Sequence, residues 1–133
     1  MRPIRFSYTI YKGRWAPIVP VQFRGPRGWI PIWTYVDSGA SLSILGAASA
    51  ERLGLRMTQG HLMNIVVGDG SLIPVYVHRL PVRIGPVECT AHVGLSPRLG
   101  VGFDLLGRQD VFTRFDVTFS DATRTVTFRP RPR

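Results

Sequence analysis

Asp37-Ser38-Gly39-Ala40-Ser41, arriving directly after Trp33-Thr34-Tyr35-Val36, brings a carboxylate, a hydroxyl and a glycine to one point of the chain. The run before Asp37 is aromatic and β-branched, which predicts a strand feeding a turn. Gly39 is free to take angles that a side chain would forbid, and the small residues around it let a second chain or a substrate come close. A carboxylate at the end of a buried strand is costly unless it is hydrogen-bonded, paired or used. Asp37 is therefore the candidate for acid–base chemistry, with Ser38, Gly39 and Ala40 as its loop. The plainer alternative is an Asp that opens an ordinary turn, since Asp-Ser-Gly does so anywhere.

Other chemistries find little support. His61, His78 and His92 lack metal-ligand spacing and read as structural or surface residues, so no metal and no cofactor is expected. Asp69 and Asp104 read as turn formers. No Ser-His-Asp order stands out, and Gly100-Val101-Gly102 lacks the strand and helix that would make it a phosphate loop. Cys89, the single cysteine, lies in a strand-like run and reads as a buried, inert thiol. With no internal disulfide possible, a cytoplasmic location is the default.

The elements that must position Asp37 fit into one domain, 1–133, with a core at about 18–128, a basic arm at 1–17 and an Arg/Pro tail at 129–133. At 44% hydrophobic the chain can bury a core without staples. No apolar run approaches the ~18 residues of a membrane span, so no membrane is expected. Seventeen basic against eight acidic residues give +9, and every base except Lys12 is arginine. Basic ends of this kind serve either an acidic partner or simple solubility. Aromatics interleaved with arginine near the N-terminus also suit single-stranded nucleic acid, but their period of two suits core packing better.

In order, strands are expected at 4–10, turned by Lys12-Gly13, at 18–23, where Pro17 and Pro20 favour a sheet edge, and at 29–36. Residues 42–45 are apolar, and 47–53 predict one short helix stopped by Gly54. A mobile hairpin follows, with strands at 62–67 and 72–77 and Val67-Gly68-Asp69-Gly70 at its tip. A second hairpin at 80–84 and 87–93 turns at Gly85-Pro86, and 95–102 reads as a loop. The apolar run 103–108 ends in Leu105-Leu106-Gly107-Arg108, 109–115 predicts a short helix or turn, and strands near 115–119 and 125–128 close the chain. So many short strands predict an all-β domain, a closed barrel or sandwich with one or two short helices.

Three features in this order, strand-Asp37-Ser38-Gly39-Ala40, a hairpin with a Gly-Asp-Gly tip, and Leu105-Leu106-Gly107, resemble the retropepsin-like aspartic proteases, most closely their small stand-alone bacterial and archaeal members. The resemblance implies an aspartic endopeptidase acting on a peptide or protein substrate. It also implies a homodimer, because each subunit supplies one Asp37 and the two carboxylates hold one proton. By position, Ser38 would tie the two active-site loops together, residues 66–74 would form the flap, and Leu105-Leu106-Gly107 would lie against the Asp37 loop. Viral members carry an acid where this chain has Ser41, so the arginine after the second glycine, Arg108, would need another partner, Asp110 or Asp104. Their dimers also interleave terminal strands, whereas Arg129-Pro130-Arg131-Pro132-Arg133 is a poor strand that could leave the sheet to end at Phe128 or the N-terminal arm to dimerise. Twice +9 in a dimer would weaken association at low salt. A silent peptide- or partner-binding domain of the same fold is the rival reading, and a nucleic-acid-binding protein is the third.

Overall fold

A computed structural model of the chain describes residues 2–66, 69–97 and 104–132. Within them the period-two patterning becomes twelve strands. These are β1 (Ile4–Ser7), β2 (Thr9–Tyr11), β3 (Arg14–Ala16), β4 (Ile18–Gly25), β5 (Gly28–Val36), β6 (Ser43–Gly46), β7 (His61–Val66), β8 (Leu72–Ile84), β9 (Val87–Ser96), β10 (Asp104–Leu106), β11 (Phe115–Ser120) and β12 (Thr125–Pro130). The helical elements among the described residues are one short helix, α1 (Ala47–Arg52), and a 3-10 turn at Met57–Gln59. The fold is all-β.

Seven strands form one sheet in the order β4-β5-β10-β6-β9-β8-β7, and β4 also pairs with β8 through Gln22↔Arg83 and Phe23↔Val82. The sheet thus curls back on itself. A second sheet runs β1-β12-β11, and β2 and β3 form a separate hairpin. One apolar cluster joins the large sheet to the second, with Val19, Phe23, Ile32, Leu45 and Leu95 from the first and Phe115 and Phe128 from the other. Phe128 meets Phe115 and Phe6 edge-on at 5.7 and 5.8 Å. Each such side chain stabilises the fold by roughly 1.5–3 kcal/mol. Cys89 is buried here.

Local chemistry sets the turns. Lys12 and Gly13, at φ +50° and +76°, make the two-residue turn between Tyr11 and Arg14. Gly54, at +68°, ends α1.

Several boundaries differ from those the sequence predicts. The expected strand 4–10 breaks at Tyr8, because its two halves have different partners: β1 pairs with β12 and β2 with β3. Tyr8 is buried at the break, its N–H donating to Arg124 O at 2.7 Å. The expected strands 72–77 and 80–84 are one, since β8 leaves β7 and continues along β9 without interruption. Leu95 and Ser96 extend β9 rather than opening a loop, while 98–102 of that loop, and 103 after it, lie outside the described residues. β12 runs past Phe128 to Pro130, which pairs with Phe115. Pro130 needs no donor towards β1, whose ladder begins at Ile4↔Phe128, so proline is tolerated there.

The segment 109–114 is a turn, closed by Phe112 N–H to Arg108 O and Phe115 N–H to Val111 O. Asp110, at φ +64°, anchors it: one carboxylate oxygen accepts from His92 N–H at 2.8 Å and from His92 Nδ1 at 2.9 Å. Partial burial raises this carboxyl's pKa, but the two His92 bonds outweigh it and hold it below the ordinary value of 3.8. A depressed carboxylate contributes stability fully above its unfolded pKa and loses it as pH falls through the folded one. Asp110→Asn, which tolerates the positive φ, should cost about 1 kcal/mol or less at neutral pH, since the pair is solvent-screened. The gap from the native chain in urea unfolding should close as the pH falls below about 4. A gap that widens below that pH would refute this account.

Candidate active site

Asp37 stands one residue beyond β5 and is half-buried, and its backbone N–H donates to Leu106 O at 2.9 Å. The parallel β5–β10 ladder, Asp104↔Thr34 to Leu106↔Val36, thereby continues to the acid itself. The Asp37 Oδ1 atom accepts from Gly39 N–H at 2.8 Å, and Ala40 N–H bonds Asp37 O at 3.2 Å. This tight turn fixes one carboxylate oxygen. Gly39 does not adopt the left-handed angle that its freedom allows. Its value is proximity, since a Cβ there would press within 3.2 Å of Asp37 Oδ1.

β10 lies between β5 and β6, pairing with Tyr35 on one side and Ile44 on the other. Beyond it Gly107 is buried against the turn, where an added Cβ would come within 2.5 Å of the Leu42 carbonyl. Gly107 N–H donates to Ser43 Oγ, Arg108 N–H to Ala40 O, and Gln109 N–H to Ser41 O, each at 2.9 Å. Three consecutive donors thus hold the Asp37 loop from below. Leu106 and Gly107 meet this loop, Leu105 pairs with Tyr35 and Ile44, and Arg108 and Ser38 are exposed.

The acids considered as partners for Arg108 are committed elsewhere. Asp110 holds His92. Asp104 is a strand residue, not a turn former, and its carboxylate accepts from Gly46 N–H at 2.8 Å and from the Ser49 hydroxyl. It thereby caps the amino end of α1, which has no side-chain cap of its own, and tethers the helix to β10. Asp69 does form a turn, accepting from Ser71 N–H at 2.9 Å, with Gly70 beside it at φ +84°. Val67 and Gly68 of the expected hairpin tip lie outside the described residues. Where described, the hairpin ends are weakly covered: Leu62, Met63, Val66 and Leu72 are all exposed.

Asp37 opens on a cleft of about 370 Å³, lined also by Tyr8, Trp15, Tyr35, Phe119 and Asp121. Tyr8, Trp15, Phe119 and Asp121 are residues that sequence reasoning missed. They come from the N-terminal arm, read as a basic end of the chain, and from β11 and the turn after it, read as a closing strand and its turn rather than as walls of a site. The one signal available is Trp15, among the N-terminal aromatics whose period of two suits core packing, yet it is 46% exposed, and Phe119 is 38% exposed. Tyr8 donates its hydroxyl to Asp121 Oδ1 at 2.8 Å. Burial, this bond and the nearby carboxylate push the phenol up to about 12, so it stays a donor at neutral pH.

A family model described as Aspartyl protease matches residues 19–106, from β4 through β10. No curated protein matches the chain. Solved structures similar to it include a retropepsin-like aspartic protease from Rickettsia conorii, at 20% identity and TM-score 0.61, covering 96% of this chain and 89% of that one. The EIAV protease complexed with the inhibitor HBY-793 is 18% identical at TM-score 0.58, over 79% of this chain and 92% of that. The retroviral protease-like domain of Ddi1 from Leishmania major is 20% identical at TM-score 0.56, over 88% and 94%. At these identities the likeness is one of fold.

Proposed function

Because the chain belongs to the aspartyl protease family and has the retropepsin-like fold, we propose that it is an aspartic endopeptidase, active as a homodimer in which the two Asp37 carboxylates share a water. The observation that carries the reading is the brace at Asp37: one carboxylate oxygen fixed by Gly39, and the loop locked from below by the residues after β10. Preorganisation of this kind supports a group that acts on substrate rather than one that merely opens a turn. β11 is the outer strand of its sheet in the order β1-β12-β11, which supports an edge where a second copy adds.

Two carboxylates within ~3 Å cannot both ionise cheaply, so the pair keeps one proton and titrates as a unit. The ionised carboxylate takes a proton from water, which attacks the scissile carbonyl, while the protonated partner donates to the carbonyl oxygen. Collapse of the tetrahedral intermediate expels the amine, with the proton passed on from the first carboxylate. The exposed apolar hairpin of β7 and β8 serves as flap, closing over a peptide bound by strand addition. No step requires a metal or cofactor.

The exposed Arg108, in a chain with Ser41 where viral members have an acid, favours a second reading, a silent peptide-binding domain. Cleavage of a diverse peptide mixture between pH 3 and 8, by protein that sedimentation shows to be dimeric, tests the two. The protease reading expects cleavage blocked by a transition-state mimic of the pepsin type; intact peptides with a confirmed dimer would favour the silent domain. Among the described residues no helix is long and apolar enough to cross a membrane.

A further inference from the structure

Most of this chain's surface charge is positive, yet the cleft at Asp37 is lined by two of its eight acids, Asp37 and Asp121, and by no arginine or lysine. Its remaining walls include four aromatic rings, from Tyr8, Trp15, Tyr35 and Phe119. Carboxylates among aromatic faces are the chemistry that holds a guanidinium, which is planar, weakly hydrated and drawn to ring faces. The same chemistry repels phosphate, so a nucleic acid is a poor occupant despite the basic chain.

We propose that this cleft is a specificity pocket for an arginine side chain of the peptide substrate, with Asp121 as its counter-charge and Trp15 and Phe119 as its walls. Asp37 lines the same cleft, so the arginine belongs to a residue flanking the cleaved bond. The inference rests on the protease reading above.

Two further observations fit. The Arg124 guanidinium already lies over the Trp15 ring, 4.4 Å from its centre, so this indole does accept one. Arg124 is not among the residues lining the cleft, and its backbone is turned back on Asp121, N–H to O at 3.2 Å. Tyr8 meanwhile fixes the Asp121 carboxylate through Oδ1, orienting a charge that would otherwise swing freely on an exposed turn. An apolar substrate side chain would fill the same space but leave the oriented carboxylate unused.

The test reads which residues flank the bonds cleaved in a diverse peptide mixture, then compares synthetic peptides carrying arginine or its neutral isostere citrulline at that position. Native protein should enrich arginine there, and citrulline should lower kcat/KM roughly fivefold to tenfold, mainly through KM. In Asp121→Asn, which keeps an acceptor for Tyr8, the arginine-to-citrulline ratio should fall towards one, and in Asp121→Glu it should largely return. Cleavage with no arginine preference, or a ratio unmoved by Asp121→Asn, overturns the pocket while leaving the protease reading intact. A dimer weakened by Asp121→Asn together with no arginine preference also overturns it, pointing to a second copy as the occupant. If a confirmed dimer cleaves nothing, the protease reading fails on its own. Calorimetry with the same uncleaved peptides then decides the pocket: tighter binding of arginine than citrulline, lost in Asp121→Asn, supports it, and equal affinities overturn it.

Discussion

Asp37→Asn is expected to lower kcat/KM for peptide cleavage by about four orders of magnitude while leaving fold and dimer in place. Asparagine is nearly isosteric, and its amide oxygen can still accept from Gly39 N–H as Asp37 Oδ1 does at 2.8 Å. The turn and the Asp37 N–H bond to Leu106 therefore persist. What vanishes is proton transfer, because an amide neither takes a proton from water nor gives one to the carbonyl. General acid–base assistance contributes roughly 10²–10⁴-fold per group, and in a homodimer the substitution removes both. The dyad's single negative charge disappears as well, so dimerisation should not weaken. Kinetics with a fluorogenic peptide, circular dichroism and sedimentation on the same samples give the three readouts. An Asp37→Asn variant that still cleaves would remove Asp37 from the chemistry, whatever the fold.

Why the sequence revealed Asp37 and hid the rest of its cleft follows from the range of the interactions. Asp37, its loop, Gly54, Gly85 and the Lys12-Gly13 turn are written in neighbouring residues, where turn angles and strand periodicity operate. The family resemblance added β10, which the sequence alone shows only as two leucines and a glycine. Its insertion between β5 and β6 is a tertiary fact. Asp104 escapes a local reading for that reason: nothing near it in the chain announces a bond to Gly46 and Ser49 more than fifty residues away. Tyr8 and Asp121 are 113 residues apart, and the break at Tyr8 is legible once its hydroxyl and its N–H have different partners on the β11–β12 turn. Strand ends differ from expectation for a related cause. Leu95, Ser96 and Pro130 join strands because a partner strand extends that far, a condition local propensity cannot express.

Gly107→Ala should destabilise the fold by about 3–5 kcal/mol, a large share of the 5–15 kcal/mol typical of a domain. The backbone angle is not the obstacle, for Gly107 is absent from the left-handed glycines. Space is. A methyl group there would meet the Leu42 carbonyl carbon and oxygen at 2.5 Å and Ala40 O at 2.9 Å, all of them backbone atoms that cannot rotate away. Overpacking costs roughly 1–3 kcal/mol. Relief requires the loop after β10 to separate from the Asp37 loop, which strains the bonds from Gly107, Arg108 and Gln109, each contributing about 0.5–1.5 kcal/mol. Thermal unfolding should begin roughly 10 °C lower or more. Activity should fall further than the folded fraction explains, because the brace that positions Asp37 is what yields. Unchanged stability would mean that β10 and the Asp37 loop do not touch as described. Lower stability with full activity per folded molecule would mean that the carboxylate needs no brace.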